Sequence, residues 1–232
     1  MELYPAVDVQ GGRVARSLAN EDPIALAQRF ARDGARWIHL VDLDNALGTG
    51  HNRELVQRVV ARAGLPVQVG GGLSSEPEIA QRLEWGAHRV VVGSRAAIDA
   101  ALVARLVARY GAEGLAVGID VRDGRVAPRG SGAVLDIAPL ELARLVRAAG
   151  IRTVVYTDAA RDGMLAGPDL AGARALGALE VSGGLDVIVS GGVASLDDLR
   201  RARDGGGIAG AIVGRALHEG RFTLREALAC VA

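Results

Sequence analysis

The chain alternates, from one end to the other, between short runs rich in Val, Ile and Leu and longer stretches whose apolar residues recur at helical spacing. The short runs are Leu3–Val9, Trp37–Val41, Val67–Val69, Arg89–Val92, Leu115–Ile119, Thr153–Tyr156, Asp186–Val189 and Gly210–Val213, each of a length suited to a buried strand. Between them, Ile24, Ala27 and Ala31 share one helical face, and Leu55, Val59 and Ala63 share another. Leu102 and Leu106 run beside Val103 and Val107, while Leu142, Val146 and Ala149 form a further stripe. Asp22-Pro23 and Ser195-Leu-Asp-Asp198 read as helix starts, the first with Pro at the opening position and the second with capping-box spacing. Half of the residues are hydrophobic but only 3% are aromatic, so the core is built from aliphatic side chains, as in parallel sheets covered by helices.

Eight strand-helix units with no linker or composition break predict a single α/β domain over residues 1–232. Right-handed crossovers make the strands parallel, and eight of them close into a (β/α)8 TIM barrel, which removes the exposed edges. An open doubly wound sheet would want a Gly-rich first turn followed by an acidic ribose-binding residue, and neither occurs in that order. The first half also echoes the second. Val7-Asp-Val-Gln-Gly-Gly-Arg-Val14 matches Ile119-Asp-Val-Arg-Asp-Gly-Arg-Val126, Val69-Gly-Gly-Gly72 matches Val189-Ser-Gly-Gly192, and Val92-Gly-Ser-Arg-Ala96 matches Val213-Gly-Arg-Ala216. The expected barrel is therefore two duplicated half-barrels, approximately residues 1–112 and 113–232.

Asp8 and Asp120 end apolar runs one and five, which face each other across the C-terminal mouth of an eight-stranded ring. Opposed carboxylates flanking a small ligand can serve as general acid and general base; a lone strand-end Asp is more often a cap. Two at matched repeat positions favour chemistry. The glycine clusters Gly71-Gly72, Gly93-Ser94, Gly191-Gly192 and Gly214-Arg215 follow runs three, four, seven and eight. Such turns let backbone N–H groups approach a phosphate, and the paired arrangement predicts an elongated ligand with a phosphate at each end. After run six, Thr157 and Asp162 are candidates for orienting or exchanging a proton, with an ordinary turn at Asp162-Gly163 as the equal alternative. Asp42 and Asp44 are similarly open.

Several classes of function are excluded. All 27 basic residues are Arg, so no lysine Schiff base can form, and a net charge of +0 offers no global field for nucleic acid or anionic lipid. His39, His51, His88 and His218 lack metal-ligand spacing, and there is no Walker A loop or GxSxG elbow. No cofactor, metal, nucleic acid or membrane is expected. Cys230 is the one cysteine, and no leader or membrane-spanning stretch is evident, so a cytoplasmic monomer is expected.

At Pro5-Ala-Val-Asp-Val-Gln-Gly-Gly-Arg13, Trp37-Ile-His-Leu-Val-Asp-Leu-Asp44, Gly70-Gly-Gly72, Thr157-Asp-Ala-Ala-Arg-Asp-Gly163 and Gly210-Ala-Ile-Val-Gly-Arg-Ala-Leu217, the chain resembles the HisA-type phosphoribosylformimino-5-aminoimidazole carboxamide ribotide isomerases of histidine biosynthesis. The resemblance covers nearly the whole length. It implies an Amadori rearrangement of a bisphosphorylated aminoaldose to an aminoketose, with Asp8 as base, Asp120 as acid, and Asp162 competing for the acid role. It also implies that Thr157, Arg16 and His39 contact the substrate. Three positions depart from the family pattern: the loop Arg129-Gly-Ser-Gly-Ala133 lacks the usual Trp, Ser74 replaces an Arg, and Met164 replaces a Thr. The sister cyclase usually carries a Lys shortly after the first Asp, which this chain cannot supply, and it needs a glutaminase partner. The bifunctional relative that also isomerises phosphoribosylanthranilate ranks second, its loop Arg and Trp being unmatched here. A non-catalytic phosphate-binding barrel that docks a partner enzyme is the reading from another class.

Overall fold

The computed structural model describes residues 1–15, 21–130, 133–179 and 184–232. Eight parallel strands form the barrel: β1 (Glu2–Gln10), β2 (Ile38–Asp42), β3 (Val67–Gly70), β4 (Arg89–Val92), β5 (Leu115–Arg122), β6 (Thr153–Asp158), β7 (Asp186–Ser190) and β8 (Gly210–Val213). Each pairs with the next, and β8 returns to β1 with Glu2 opposite Gly210 and Pro5 opposite Val213. The ring is closed. Outside it lie α1 (Pro23–Arg32), α2 (Arg53–Arg62), α3 (Glu76–Glu84), α4 (Ala100–Tyr110), α5 (Pro139–Ala148), α6 (Leu170–Gly177), α7 (Leu196–Asp204) and α8 (Leu224–Val231).

Strand alternation divides the apolar residues between two cores. Outward-pointing Val7, Leu40, Val69, Val90, Val117, Val154, Val187 and Ala211 meet the helices in the main core, which also takes in Leu106, Leu142 and Leu199. Inward-pointing Tyr4, Ala6, Val91, Ala116, Val155, Ile188 and Ile212 fill the barrel's lower interior, with Trp37 packed below. Small and β-branched side chains make up most of that narrow tube. The helix starts follow the expected chemistry. Asp22 accepts from the Ala25 N–H at 3.0 Å with Pro23 opening α1, and Ser195 and Asp198 form a reciprocal capping box. The buried helical faces sit slightly differently from the expected stripes: Val56, Val59, Val60 and Ala63 are buried, whereas Ala31, Leu55 and Ala149 are half-buried.

Two strands run further than the apolar pattern suggested. β1 and β5 continue past Asp8 and Asp120 by two residues and fold back as short antiparallel ribbons against Arg13–Val14 and Arg125–Val126. The turns at Gly11-Gly12 (φ +56° and +77°) and Asp123-Gly124 (φ +51° and +75°) have left-handed backbone at both central positions, the geometry that suits the twist of a two-residue hairpin. Asp8 and Asp120 thus sit at the base of a ribbon, their carbonyls accepting from Ala15 and Ala127 at 2.7 and 2.8 Å.

Candidate active site

A cavity of about 350 Å³ opens where the C-terminal ends of the strands meet their following loops. It brings together Asp8, Asp120, Asp162, Thr157 and His39 with all four glycine turns. Arg16 lies outside the described residues. Residues far apart in sequence thus converge because each inward-facing strand position just before a loop points to the barrel axis.

Asp120 is held by several groups at once. Burial raises its pKa above the ordinary carboxylate value, the Arg129 guanidinium opposes that rise, Asp162 adds to it, and a hydrogen bond from Thr157 opposes it again. Ser94 supports the same strand from below, its buried hydroxyl donating to the Gly118 carbonyl at 2.7 Å. That bond occupies the Ser94 side chain, so only its backbone N–H is left for a ligand. Asp162 projects into the cavity, while Asp158 takes the turn, accepting from the Ala160 N–H at 2.9 Å and pairing with Arg161 at 3.1 Å. The turn's side-chain hydrogen bonds are thus made by Asp158, and the turn at Asp162-Gly163 leaves the Asp162 carboxylate at the cavity wall.

Arg129 was not singled out in the sequence, and it is the central cation of the site. Its Nη2 lies 3.4 Å from Asp162 and 3.7 Å from Asp120. Burial works against its charge, but Asp120, Asp162 and Asp8 together outweigh that and raise its pKa. The loop that carries it crosses the mouth so closely that a Cβ on Gly130 would collide with the Ala46 carbonyl. The sequence described this loop by its missing Trp and by the unmatched Arg of the bifunctional relative; in the structure Arg129 lines the cavity from that loop. A loop arginine flanked by Pro128 and Gly130 is the only sequence signal that marks it.

The glycines satisfy packing before they satisfy any ligand. A Cβ on Gly71 (φ +120°) would lie 2.5 Å from the Asp42 carbonyl oxygen, and one on Gly192 (φ +84°) would lie 2.5 Å from that of Gly167. Both turns are pressed against the loop of the preceding unit, and both line the cavity. Arg215 is held by Glu219 at 2.6 Å and by the Gly163 carbonyl at 2.5 Å, tying the β8 turn to the Asp162 loop. Asp42 and Asp44 prove to be loop organisers. Asp42 accepts from Asn52 and Asn45, while Asp44 accepts from the Gly11 N–H at 2.7 Å and from Asn52, and these bonds hold its carboxyl below the usual range.

His39 lies 8% exposed beneath the cavity, and burial, reinforced by Arg129, lowers its pKa to about 3. The ring is therefore neutral at physiological pH. Among the described residues, no group of three or more His, Cys, Asp or Glu side chains is arranged to hold a metal ion, and no helix is long and apolar enough to cross a membrane.

Comparison with known proteins finds one family over nearly the whole chain. The family model described as "Histidine biosynthesis protein" matches residues 2–223. A protein of Moorella thermoacetica named 1-(5-phosphoribosyl)-5-((5-phosphoribosylamino)methylideneamino) imidazole-4-carboxamide isomerase is 43% identical, covering 100% of this chain and 99% of its own. Relatives of the same name from Symbiobacterium thermophilum (43% identical, 98% of this chain, 96% of theirs) and Geobacillus kaustophilus (44%, 99% and 97%) are similar to the same extent.

Proposed function

The chain belongs to the histidine biosynthesis protein family, and from that premise we propose that it is the aldose–ketose isomerase for which its relatives are named. The substrate is an aminoaldose carrying a phosphate at each end, and the product is the open-chain aminoketose. The observation that carries this reading is the juxtaposition of Asp8 and Asp120 in one cavity lined by four glycine turns.

The reaction begins with two proton transfers on opposite sides of one ribose. Asp120 gives a proton to the ring oxygen; the C1–O bond breaks, and the amine lone pair forms a protonated imine at C1. Asp8 then takes the C2 proton, and the C–H electrons move to C1=C2, neutralising the imine to an enolamine. Loss of the enol proton and protonation at C1 give the ketose. A raised pKa suits Asp120 to the donating role, because more of it is protonated near neutrality than of an ordinary Asp. Thr157 orients that carboxyl through its hydrogen bond, and Asp162, bridged to it by Arg129, is the second proton donor within reach. The turns at Gly71-Gly72 with Gly93-Ser94, and at Gly191-Gly192 with Gly214-Arg215, receive the two phosphates through backbone N–H groups. His39 contacts the sugar between them. All steps use the chain's own side chains, and we assign the enzyme to the cytoplasm as a monomer acting on a small molecule alone.

The test is turnover of the purified aminoaldose by the chain and by its Asp8→Asn and Asp120→Asn variants. Each variant should lose about 10²- to 10⁴-fold in kcat. Full activity in both would end the carboxylate mechanism. Arg129 supports a second reading, because a cavity-facing guanidinium also matches a substrate bearing a carboxylate. Phosphoribosylanthranilate assayed beside the first substrate decides it: turnover of both identifies a bifunctional enzyme, and turnover of the first alone dismisses that reading.

A further inference from the structure

Beneath the cavity runs a polar chain that the proton transfers do not use. His39, Gln68 and Arg89 occupy neighbouring positions on β2, β3 and β4, with His39 opposite Gln68 and Gln68 opposite Arg89 in the strand register. All three are buried inside the barrel, Gln68 completely. The Gln68 amide nitrogen lies 3.0 Å from His39 Nδ1, and its carbonyl oxygen lies 3.3 Å from Arg89 Nη1. Arg89 is fixed in turn by the Tyr4 hydroxyl at 3.4 Å, the Glu113 carbonyl at 3.3 Å and the face of Trp37 at 4.7 Å.

Donor and acceptor inventories leave one consistent assignment. A guanidinium only donates, so the atom of Gln68 that faces Arg89 must be the oxygen. The atom that faces His39 is then the NH₂ group, which only donates. His39 Nδ1 must accept, so it carries no proton, and the ring's single proton is on Nε2. A doubly protonated ring would set an N–H against an N–H, which agrees with the strongly depressed pKa of His39. We propose that Gln68 and Arg89 are positioning residues that fix the tautomer of His39, so that its ring meets the bound ligand as an uncharged Nε2–H donor. An uncharged donor here directs a ligand oxygen without adding a second cation beside Arg129, which already faces the carboxylates. This inference rests on the functional reading only where it says that His39 touches substrate; the tautomer itself is a property of the free protein.

The experiment has two arms. In the first, long-range ¹H–¹⁵N spectra of the free wild-type protein read the protonation of each His39 nitrogen. Nδ1 should appear unprotonated and Nε2 protonated between pH 6 and 8. In Gln68→Glu, which offers Nδ1 an acceptor while keeping a partner for Arg89, the Nδ1 nitrogen should become protonated. In the second arm, Gln68→Met, matched in size but unable to donate, should lower kcat/KM by about tenfold. The same substitution should cost nothing further in a His39→Gln background, where a side-chain amide supplies a donor that needs no tautomer. A protonated Nδ1 in the wild type overturns the proposal without a variant that must fold. An equal loss in both backgrounds, with melting temperatures lowered alike, overturns it too, because Gln68 would then act on the fold and not through His39. A wild-type chain with no turnover sinks the isomerase reading instead and leaves the spectra to judge the tautomer.

Discussion

Burial raises the pKa of Asp120, while Arg129 pulls against that rise and Asp162 adds to it. A carboxyl with a raised folded-state pKa stabilises the fold most below its unfolded value, and that contribution is lost as pH climbs through the folded one. The ionised form of Asp120 is therefore a burden on stability, so Asp120→Asn should leave the melting temperature unchanged or higher at pH 7 even as activity disappears. Thermal melts of both proteins from pH 5 to 8 check this, and a lower melting temperature for the variant at pH 7 would contradict it. The counterweight is Arg129. Arg129→Met removes the influence that lowers the Asp120 pKa, so the carboxyl keeps its proton to higher pH, and the falling limb of kcat/KM against pH should move upward. Little of this was legible in the chain. Asp8 and Asp120 announce themselves because a repeat places each after an apolar run, but the role of Arg129 depends on the path of a loop across the mouth. His39 reads as one more strand residue until Gln68 and Arg89 are seen beside it, since only the closed ring brings the inward faces of three strands together.

The elements were easier to read than their ends. Alternation and aliphatic composition locate all eight strands, yet the apolar runs stop at Val9 and Ile119 while the hydrogen-bonded strands continue to Gln10 and Arg122. The reason lies in the turns: Gly11-Gly12 and Asp123-Gly124 adopt left-handed backbone, so ribbon pairing extends each strand through polar residues that no hydrophobic pattern marks. The β7-to-α7 connection shows how such an end is held. Asp198, 3% exposed, accepts from the N–H groups of Ala194 and Ser195 at 2.9 and 3.1 Å and pairs with Arg201. Its counterpart, Glu78, accepts from Ser74 and Ser75 at 3.4 and 3.1 Å at the start of α3. Each carboxylate closes the helix entry just beyond a glycine turn. Asp198→Ala would strand two backbone donors and is expected to cost about 2–3 kcal/mol, measurable by urea unfolding. The Gly191-Gly192 turn should loosen with it, weakening inorganic phosphate binding more than Asp8→Asn does.

At the scale of the molecule, the proposed division near residue 112 falls in the turn between α4 and β5, where Gly111 and Glu113 are exposed at the end of the barrel away from the cavity. A cut there would spare every loop of the mouth. It would separate two four-stranded sheets, each left with raw edges along the β4–β5 seam, where Val90 faces Leu115, and the β8–β1 seam, where Leu3 faces Ala211. Those edges, together with the apolar barrel interior, make each piece insoluble or self-associating on its own but complementary to the other. The chemistry divides along the same line: Asp8 and His39 lie in the first piece, whereas Asp120, Arg129, Thr157 and Asp162 lie in the second. With Asp8 as base and Asp120 or Asp162 as acid, as proposed, neither piece holds both partners, and neither should carry out the isomerisation. Co-expression of residues 1–112 with residues 113–232 should recover turnover, with the two pieces co-purifying one to one, while each alone stays inactive. Activity in either piece alone would show that the opposed carboxylates are not both required. Failure of the pair to associate would show that the two seams need a continuous chain to close.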